Sequence, residues 1–279
     1  MVGALVLGAV AGCAAGGPAA PADRPAAPAS DLPGIQLPPP AARWDLQLGG
    51  DAPLSAGVAV VERDWWAGRP LAGGYTICYI NAFQTQPDEP GTDRPDLTRN
   101  WPADLVRRDL EDPGWPGEFL VDISTSEYRA AAAAHVRTMI EVCAKRGAQA
   151  VELDNLDSWT REVAGAAVPF GREDAVEYAR LLVDRAHAVG LAAAQKNAAE
   201  MLRPEDQADM GFDFAVVEDC GKYDECGAYA SVYDQVLAVE YTDEGLANAC
   251  ATLPPSASVI RRDPDLVPAG EAGYVYRTC

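Results

Sequence analysis

The sequence is poor in basic residues and contains almost no histidine. Its 279 residues include 22 Lys and Arg against 42 Asp and Glu, which gives a formal net charge of −20 at pH 7. Such an excess of carboxylate repels the phosphates of nucleic acids and anionic lipid head groups, and it attracts cationic ligands. Nucleic acid is therefore not an expected partner. The two histidines, His135 and His187, give little support to a zinc cluster, so no metal site is predicted.

The sequence also lacks a hydrophobic run of membrane-spanning length at its N terminus. Residues 1–12 are apolar but too few for a spanning helix. They lead into Val10-Ala11-Gly12-Cys13, the pattern of a bacterial lipobox. We expect residues 1–12 to be a lipoprotein signal peptide and Cys13 to be the lipidated first residue of the mature chain. A buried apolar segment is the alternative interpretation.

Residues 13–43 are dominated by Ala and Pro. Such a composition cannot form a packed core and predicts an extended tether between a lipid anchor and a folded domain at residues 44–279. The protein is therefore expected to be exported, held at the bacterial cell membrane by its lipid only, and monomeric.

Six cysteines remain beyond Cys13, an even number in a chain expected to fold outside the cytoplasm. They are Cys78, Cys143, Cys220, Cys226, Cys250 and Cys279. We expect disulfides rather than metal ligation. The spacing of Cys220 and Cys226 suits a loop-closing bridge, and a Cys250–Cys279 bond would fix the C terminus. Fifteen connectivities are possible, so the pairing stays open.

Beyond Trp44, short apolar and β-branched runs alternate with helical patterns. Eight runs are predicted as strands: 58–61, 76–81, 119–123, 150–153, 191–195, 214–217, 236–239 and 257–260. Two Ala-rich segments, 127–146 and 173–189, have apolar residues at helical spacing and are each followed by glycine, Gly147 and Gly190.

Near-continuous apolar strands separated by helices indicate a parallel sheet covered on both faces. Eight such units within residues 44–279 match a (β/α)8 TIM barrel. The main alternative is an open doubly wound sheet, but no glycine-rich phosphate loop follows any predicted strand, which makes it less favourable.

Charged residues end five of the predicted strands. They are Asp122, Asp154, Lys196, Glu218 and Glu240. A parallel barrel gathers the C-terminal ends of its strands on one face, where catalytic side chains lie. Four carboxylates and one lysine are therefore expected to converge. Helix capping or pairing with Lys196 is the alternative for a single strand-end aspartate, above all for Asp122 and Asp157.

Two carboxylates flanking a sugar acetal are sufficient for glycoside hydrolysis, and no cofactor is needed. Alternation places Glu152 and Asp154 on the same side of their strand, and Asp154 lies nearer the rim. Glu218 is the natural opposing carboxylate. Five tryptophans lie in or near strand-end loops, where they could stack on sugars or be structural: Trp65, Trp66, Trp101, Trp115 and Trp159.

An ordered series of motifs from Trp44 to Cys279 resembles glycoside hydrolase family 114, the endo-α-1,4-polygalactosaminidase family. The series is Cys78-Tyr79-Ile80, Trp115-Pro116-Gly117-Glu118 before Asp122-Ile123, Val151-Glu152-Leu153-Asp154-Asn155-Leu156-Asp157, Ala186-His187-Ala188-Val189-Gly190-Leu191 with Lys196-Asn197, Phe212-Asp213-Phe214-Ala215, Glu218 before Cys220, Glu225-Cys226 and Glu240-Tyr241.

The resemblance implies a (β/α)8 barrel that cleaves α-1,4-linked galactosamine polymers with retention. It places the nucleophile at Asp154 and the acid/base at Glu218. Substrate-binding residues are expected at the matching motifs and strand ends: Tyr79, Asp122, Asn155, Asp157, Lys196, Asn197, Asp219, Glu240 and Tyr241. Deacetylated galactosamine is cationic, which agrees with the acidic composition.

The chain departs from the family beside Glu218, where Val217 and Asp219 replace the usual Asn and Gln. A polysaccharide-binding lipoprotein without turnover is therefore one alternative. A Schiff-base enzyme that uses Lys196 is the other, although neighbouring carboxylates would keep that lysine protonated.

Overall fold

The computed structural model describes residues 34–66, 69–87, 100–163 and 165–279. The predicted signal peptide and Cys13 lie outside these residues. The strands are β1 (Trp44–Gln47), β2 (Val60–Asp64), β3 (Tyr75–Asn81), β4 (Val106–Glu111), β5 (Phe119–Val121), β6 (Ala150–Asp154), β7 (Ala192–Lys196), β8 (Phe214–Glu218), β9 (Val236–Glu240), β10 (Ser258–Arg262) and β11 (Tyr276–Thr278). The helices are α1 (Ser126–Arg146), α2 (Arg172–Ala188), α3 (Pro204–Met210), α4 (Cys220–Tyr223), α5 (Cys226–Ala230) and α6 (Asp243–Thr252).

Eight parallel strands form the barrel in the order β1-β2-β3-β6-β7-β8-β9-β10, and β11 adds antiparallel to β10. The order along the sheet follows the order along the chain, as the TIM-barrel prediction requires. The connections after β3, β6, β7, β8 and β9 contain helices. In the described residues, the connections after β1 and β2 contain none, so loops cover that side of the barrel.

Strand alternation divides the apolar side chains into two cores. One fills the barrel interior and takes residues from all eight strands, including Trp44, Ile77, Phe214 and Ile260. The other lies between the outer face of the sheet and the helices. The interior core occupies the lower part of the barrel, which leaves the C-terminal ends of the strands for polar residues.

Seven of the eight predicted strands are confirmed as barrel strands, with ends that agree or differ by at most three residues. The prediction for 119–123 is wrong as a barrel strand, because β5 pairs antiparallel with β4 in a separate two-stranded sheet. The eighth barrel strand is β1, for which no strand was predicted. Its outward residues Asp45 and Gln47 are polar, since side chains of Arg262 and Arg63 cover them instead of an apolar helix.

Side chains close the barrel between β1 and β10. The Arg262 guanidinium donates to the Asp45 carboxylate and, at 2.7 Å, to the Leu46 carbonyl oxygen. The Tyr276 hydroxyl donates to the Trp44 carbonyl oxygen at 2.8 Å. Arg262 and Asp45 are both almost fully buried. The ion pair is therefore shielded from water, and each partner depends on the other for its charge compensation.

We expect Arg262→Met to lower the free energy of unfolding by about 3–5 kcal/mol, because Asp45 keeps a buried charge without a partner. Urea denaturation followed by tryptophan fluorescence measures this change. Arg277→Met is the matched control, since Arg277 pairs with Asp243 at the surface with 59% of its side chain exposed. That variant should change stability by less than about 1 kcal/mol. Equal losses in the two variants would contradict the proposed role of Arg262 in closing the barrel.

The two helices predicted from the sequence are confirmed as α1 and α2, each shifted by one residue at its start. Thr125 caps α1 by accepting a hydrogen bond from the Tyr128 amide at 3.1 Å. Gly147 ends the helix in the left-handed conformation, with φ of 92°. Among the described residues, the helices are all too short or too polar to cross a membrane.

The described residues contain three disulfides. Cys220–Cys226 and Cys250–Cys279 confirm the two suggested pairs, and Cys78–Cys143 is the third. The third bond joins β3 to α1 and closes the longest loop, with a sequence separation of 65 residues. Disulfides of this number are typical of proteins that fold outside the cytoplasm.

Residues 34–43, which the composition placed in the tether, contact the barrel. Ile35 and Leu37 pack against the interior core, and the Gln36 carbonyl oxygen accepts a hydrogen bond from the Tyr75 hydroxyl at 2.7 Å. The Ala41 amide donates to the Ser256 carbonyl oxygen at 2.7 Å. The folded part therefore begins before Trp44, because the few apolar residues within this Pro-rich stretch find partners on the barrel.

Candidate active site

A layer of polar side chains covers the interior core at the C-terminal ends of the strands. Alternation within β6, β7 and β8 carries Asp154, Lys196 and Glu218 into this layer, since the residues two positions earlier on β7 and β8 belong to the interior core. Tyr79 of β3 and Tyr241, directly after β9, contact the same carboxylates. The structure thus brings together five of the predicted site residues.

Lys196 lies at the centre of this layer and is buried. Its Nζ is 3.7 Å from Asp154 Oδ1 and 3.4 Å from Glu218 Oε2. It also donates to Glu152 Oε1 at 3.1 Å. Asp154 Oδ1 and Glu218 Oε2 are therefore at most about 7 Å apart, a range that includes the ~5–5.5 Å carboxyl separation of retaining glycosidases.

Solvent reaches the two carboxylates but not the residues beneath them. The Asp154 side chain is 18% exposed and the Glu218 side chain 32% exposed. Glu152 is fully buried. The reacting groups of a substrate could therefore approach Asp154 and Glu218 from the mouth of the barrel, while Lys196 stays below them.

Hydrogen bonds orient both carboxylates. The Tyr79 hydroxyl donates to Asp154 Oδ2 at 2.7 Å, and the Asn155 amide donates to Asp154 Oδ1 at 2.8 Å. The Tyr241 hydroxyl donates to Glu218 Oε1, and Asn197 Nδ2 lies 3.4 Å from Glu218 Oε2. Burial and the adjacent carboxylates raise the pKa of both tyrosines, so they act as hydrogen-bond donors in this site.

Opposing effects act on the pKa of Glu218. Burial raises this pKa. The charge of Lys196 and the hydrogen bonds from Tyr241 and Asn197 lower it by more, so the pKa of Glu218 lies below the usual glutamate value. For Lys196, burial lowers the pKa, yet the surrounding carboxylates, Asp154 first, bring it well above the usual lysine value. Lys196 is therefore an ammonium ion, which argues against a Schiff-base role.

Each of the three strand-end residues is followed by Asn or Asp in the left-handed conformation. The φ angles are 63° at Asn155, 46° at Asn197 and 53° at Asp219. Asn and Asp tolerate this region better than other side chains. Each also joins a neighbouring strand end: Asn155 donates to Asn81 at 3.0 Å, Asn197 accepts from the Glu218 amide at 2.8 Å, and Asp219 accepts from the Tyr241 amide at 3.2 Å. These residues turn the backbone sharply after Asp154, Lys196 and Glu218.

The structure does not bring Glu240 to the site. Leu237 and Val239 point into the barrel, so Glu240 points outward, beneath α4 and α6. It accepts from the Gly221 amide at 2.7 Å and lies against Gly245. The equal spacing of residues 196, 218 and 240 therefore does not preserve the orientation of the side chain. Tyr241, one residue later, contacts Glu218 instead.

Asp122 and Asp157 make contacts outside the central layer. Asp122 follows β5 of the separate sheet, pairs with Arg107 at 3.4 Å and accepts from the Ser124 amide at 3.0 Å. Its predicted place at the end of a barrel strand is therefore wrong. Asp157 pairs with Arg161 at 3.0 Å. Their substrate contacts, like those of Asn155, Asn197 and Asp219, stay predictions.

Two polar residues of the barrel strands, Asn81 and Glu62, were not predicted as site residues. Asn81 ends β3 and donates to Glu118 Oε2 at 3.0 Å, and Glu118 contributes to the raised pKa of Tyr79. Glu62 of β2 is a further missed residue, buried next to Glu152. The alternation of Val60, Glu62 and Asp64 within one strand was the available signal, but the predicted strand ended at residue 61.

The tryptophans differ in their surroundings. Trp115 is 66% exposed, whereas Trp101 is buried against His135, and Trp65 and Trp159 pack on the outer core. Among the described residues, Cys220, Cys226 and Glu240 form the group that could ligate a metal by geometry. The two sulfurs are joined in a disulfide, so they offer no thiolate to a metal.

Comparisons with solved structures identify similar barrels. The crystal structure of Aspergillus fumigatus Ega3 in complex with galactosamine is 19% identical to this chain, covers 87% of it and 96% of Ega3, and gives a TM-score of 0.68. The glycoside hydrolase domain of PelA from Pseudomonas aeruginosa is 17% identical, with coverage of 80% and 95% and a TM-score of 0.51. Curated protein sequences gave no match.

An eight-stranded parallel barrel with two partly exposed carboxylates at its mouth is the architecture of a TIM-barrel glycoside hydrolase. The model of glycoside-hydrolase family GH114 matches residues 24–279. The chain belongs to glycoside-hydrolase family GH114, as the motifs indicated, and is a glycoside hydrolase.

Proposed function

We propose that the protein is a retaining endo-hydrolase of α-1,4-linked galactosamine polymers. The observation that carries this proposal is the contact of one buried ammonium, Lys196, with two partly exposed carboxylates, Asp154 and Glu218. Carboxylates on different strands that share one cation face a common space, as hydrolysis of an acetal between them requires.

The sugar is proposed from two observations. The similar barrel of Ega3 was crystallised with galactosamine. The net charge of −20 on this chain attracts a polymer of cationic amino sugars and raises its local concentration. Both favour a deacetylated substrate over a neutral, fully acetylated one.

In the proposed mechanism the Glu218 carboxyl donates its proton to the glycosidic oxygen while a carboxylate oxygen of Asp154 attacks the anomeric carbon. The bond from that carbon to the leaving oxygen breaks, and a β-linked glycosyl ester of Asp154 forms. A water molecule then gives a proton to Glu218 and attacks the same carbon, which releases Asp154 and restores the α configuration. Tyr79 orients Asp154, and Tyr241 with Asn197 orients Glu218.

The proposal predicts that polygalactosamine is cut internally and that the first product is the α anomer. Proton NMR during the first minutes distinguishes the newly formed anomer from later mutarotation, and chromatography of products gives their size. A fully N-acetylated polymer is the matched control and should be cut more slowly, because it lacks the cationic charge. A β anomer formed first would contradict retention, and release of only the terminal sugar would contradict endo action.

Binding of the polymer without product would instead favour a polysaccharide-binding protein. The alternative has its basis in Val217 and Asp219, which replace the usual neighbours of the acid/base. Asp219 makes an ion pair with Lys222 at 2.7 Å and accepts from the Tyr241 amide, so it still supports the position of Tyr241 beside Glu218. That support favours a working site.

We also propose that the enzyme acts outside the cytoplasm as a monomer, anchored through a lipid on Cys13. The three disulfides support the exported location. Labelling with radioactive palmitate in cells tests the anchor, with Cys13→Ser as the variant that should lose the label. An unlabelled wild-type protein would contradict it.

A further inference from the structure

Two glutamates lie sealed beneath the mouth, Glu62 on β2 and Glu152 on β6. Both are fully buried. The carboxyl of Glu62 lies beside that of Glu152, close enough for a proton to be shared between them. Glu152 Oε1 accepts from Lys196 Nζ at 3.1 Å. Within the described chain, both Glu62 oxygens and Glu152 Oε2 have no hydrogen-bonding partner apart from this carboxyl contact.

Two carboxylates in contact inside a protein cannot both be ionised without a large cost, so such a pair retains a proton. Burial, followed by the charge of Glu152, holds the pKa of Glu62 well above its usual value. Burial raises the pKa of Glu152 to about 7, although Lys196 opposes this rise. Since Lys196 contacts Glu152 directly, the proton of the pair belongs on Glu62 and the negative charge on Glu152 once the pH exceeds about 7.

We infer that the Glu62–Glu152 pair holds one proton and fixes the Lys196 ammonium between Asp154 and Glu218, which makes both glutamates positioning residues of the active site. The charged groups around the pair are Lys196 of β7, Asp154 of β6 and Glu218 of β8. The roles of Asp154 and Glu218 rest on the proposed function, but the shared proton does not.

The pair should act on catalysis through Lys196. The Glu152 carboxylate competes with Glu218 for the same ammonium, at 3.1 Å and 3.4 Å. Glu152 still carries its proton where Glu218 titrates, because the pKa of Glu152 is raised and that of Glu218 is lowered. Glu152→Gln should therefore leave the alkaline limb of kcat/KM in place. Its amide oxygen can still accept from Lys196, so this variant should retain about tenfold more kcat than Glu152→Ala, which removes the acceptor. Glu62→Gln keeps a neutral hydrogen-bond donor at position 62, so the alkaline limb of kcat/KM should also stay in place in this variant.

The shared proton can be tested without any substrate. A glutamate whose pKa is higher in the folded state than in the unfolded state makes the protein less stable as the pH rises between these two values. In that range the glutamate ionises in the unfolded state but stays protonated in the folded state. Glu62→Gln removes this loss. The folding equilibrium constant of Glu62→Gln relative to wild type should therefore rise about tenfold per pH unit above about pH 5. Urea denaturation at a series of pH values measures this ratio.

A flat ratio across this pH range would overturn the inference, whatever the enzyme cleaves. A rising ratio without any activity would support the shared proton and contradict the proposed function instead. With activity present, an equal kcat in Glu152→Gln and Glu152→Ala would overturn the positioning role. If Glu62→Gln does not fold, infrared spectroscopy of the wild type decides: the carbonyl band of a protonated carboxyl should persist at about pH 7, and its absence would overturn the inference.

Discussion

Asp154→Asn should lower kcat on polygalactosamine by about 10³-fold or more while the fold is retained. The amide cannot form the glycosyl ester, yet it keeps the size of the side chain and can still accept a hydrogen bond from Tyr79. Initial rates of reducing-end formation measure the loss, and denaturation with urea checks the fold. Asp154 is partly exposed, and Glu152 and Glu218 remain beside the buried Lys196 ammonium, so the variant should stay folded.

Asp184→Asn is the matched control, since Asp184 lies on α2 with 68% of its side chain exposed. It removes the same charge and should leave kcat unchanged.

Glu218→Ala with added azide then separates the roles of nucleophile and acid/base. If Asp154 is the nucleophile, azide attacks its glycosyl ester and gives an α-glycosyl azide. A β-glycosyl azide from Glu218→Ala would show that the roles are reversed, and full activity of Asp154→Asn would contradict the site itself.

The barrel was predictable because its strands are buried on both faces and therefore appear as apolar runs. The sequence could not distinguish β5 from a barrel strand, since residues 119–121 are as apolar as the barrel strands. β1 was not predictable by this rule, because Asp45 and Gln47 alternate with Trp44 and Leu46. Its polar side is stabilised by Arg262 and Arg63, which are distant in sequence from Asp45.

The site was predictable where a strand ends in an inward-facing residue, as at Asp154, Lys196 and Glu218. It was not predictable at Glu240, because the number of residues in a loop does not fix which face the next strand presents. The interior apolar residues Leu237 and Val239 decide that orientation. Position 241 therefore faces the site, and its tyrosine carries the contact to Glu218.

The buried pair of Glu62 and Glu152 was harder still to predict. Glu62 is charged and lies within a strand, which would usually argue against burial. Arg63 follows it in the sequence but points to the other face of β2, where it donates to Gln47. Its burial depends on Glu152, Lys196 and the carboxylates above them, contributed by three other strands. Only the closed barrel brings these groups together, so the pair is a property of the fold rather than of any motif.

Lys196→Met should lower kcat/KM at acidic pH by about 10²-fold and move its alkaline limb to higher pH. The loss follows because Asp154 and Glu218 both lose the buried cation that holds their side chains in position. The shift follows because Lys196 holds the pKa of Glu218 below its usual value. Without that charge Glu218 keeps its proton to higher pH, and the acid form needed for the first step persists. The pH dependence of kcat/KM measures both effects.

Lys196→Arg is the matched control, because it keeps the charge and should leave the alkaline limb near its wild-type position even if the rate falls. The shift makes the test specific: Lys196→Met moves the limb to higher pH, whereas Lys196→Arg and Glu152→Gln leave it in place. A downward or absent shift in Lys196→Met would contradict the electrostatic role of the lysine. Treatment of the wild type with borohydride and a carbonyl substrate should give no adduct, because the ammonium form of Lys196 cannot attack a carbonyl carbon.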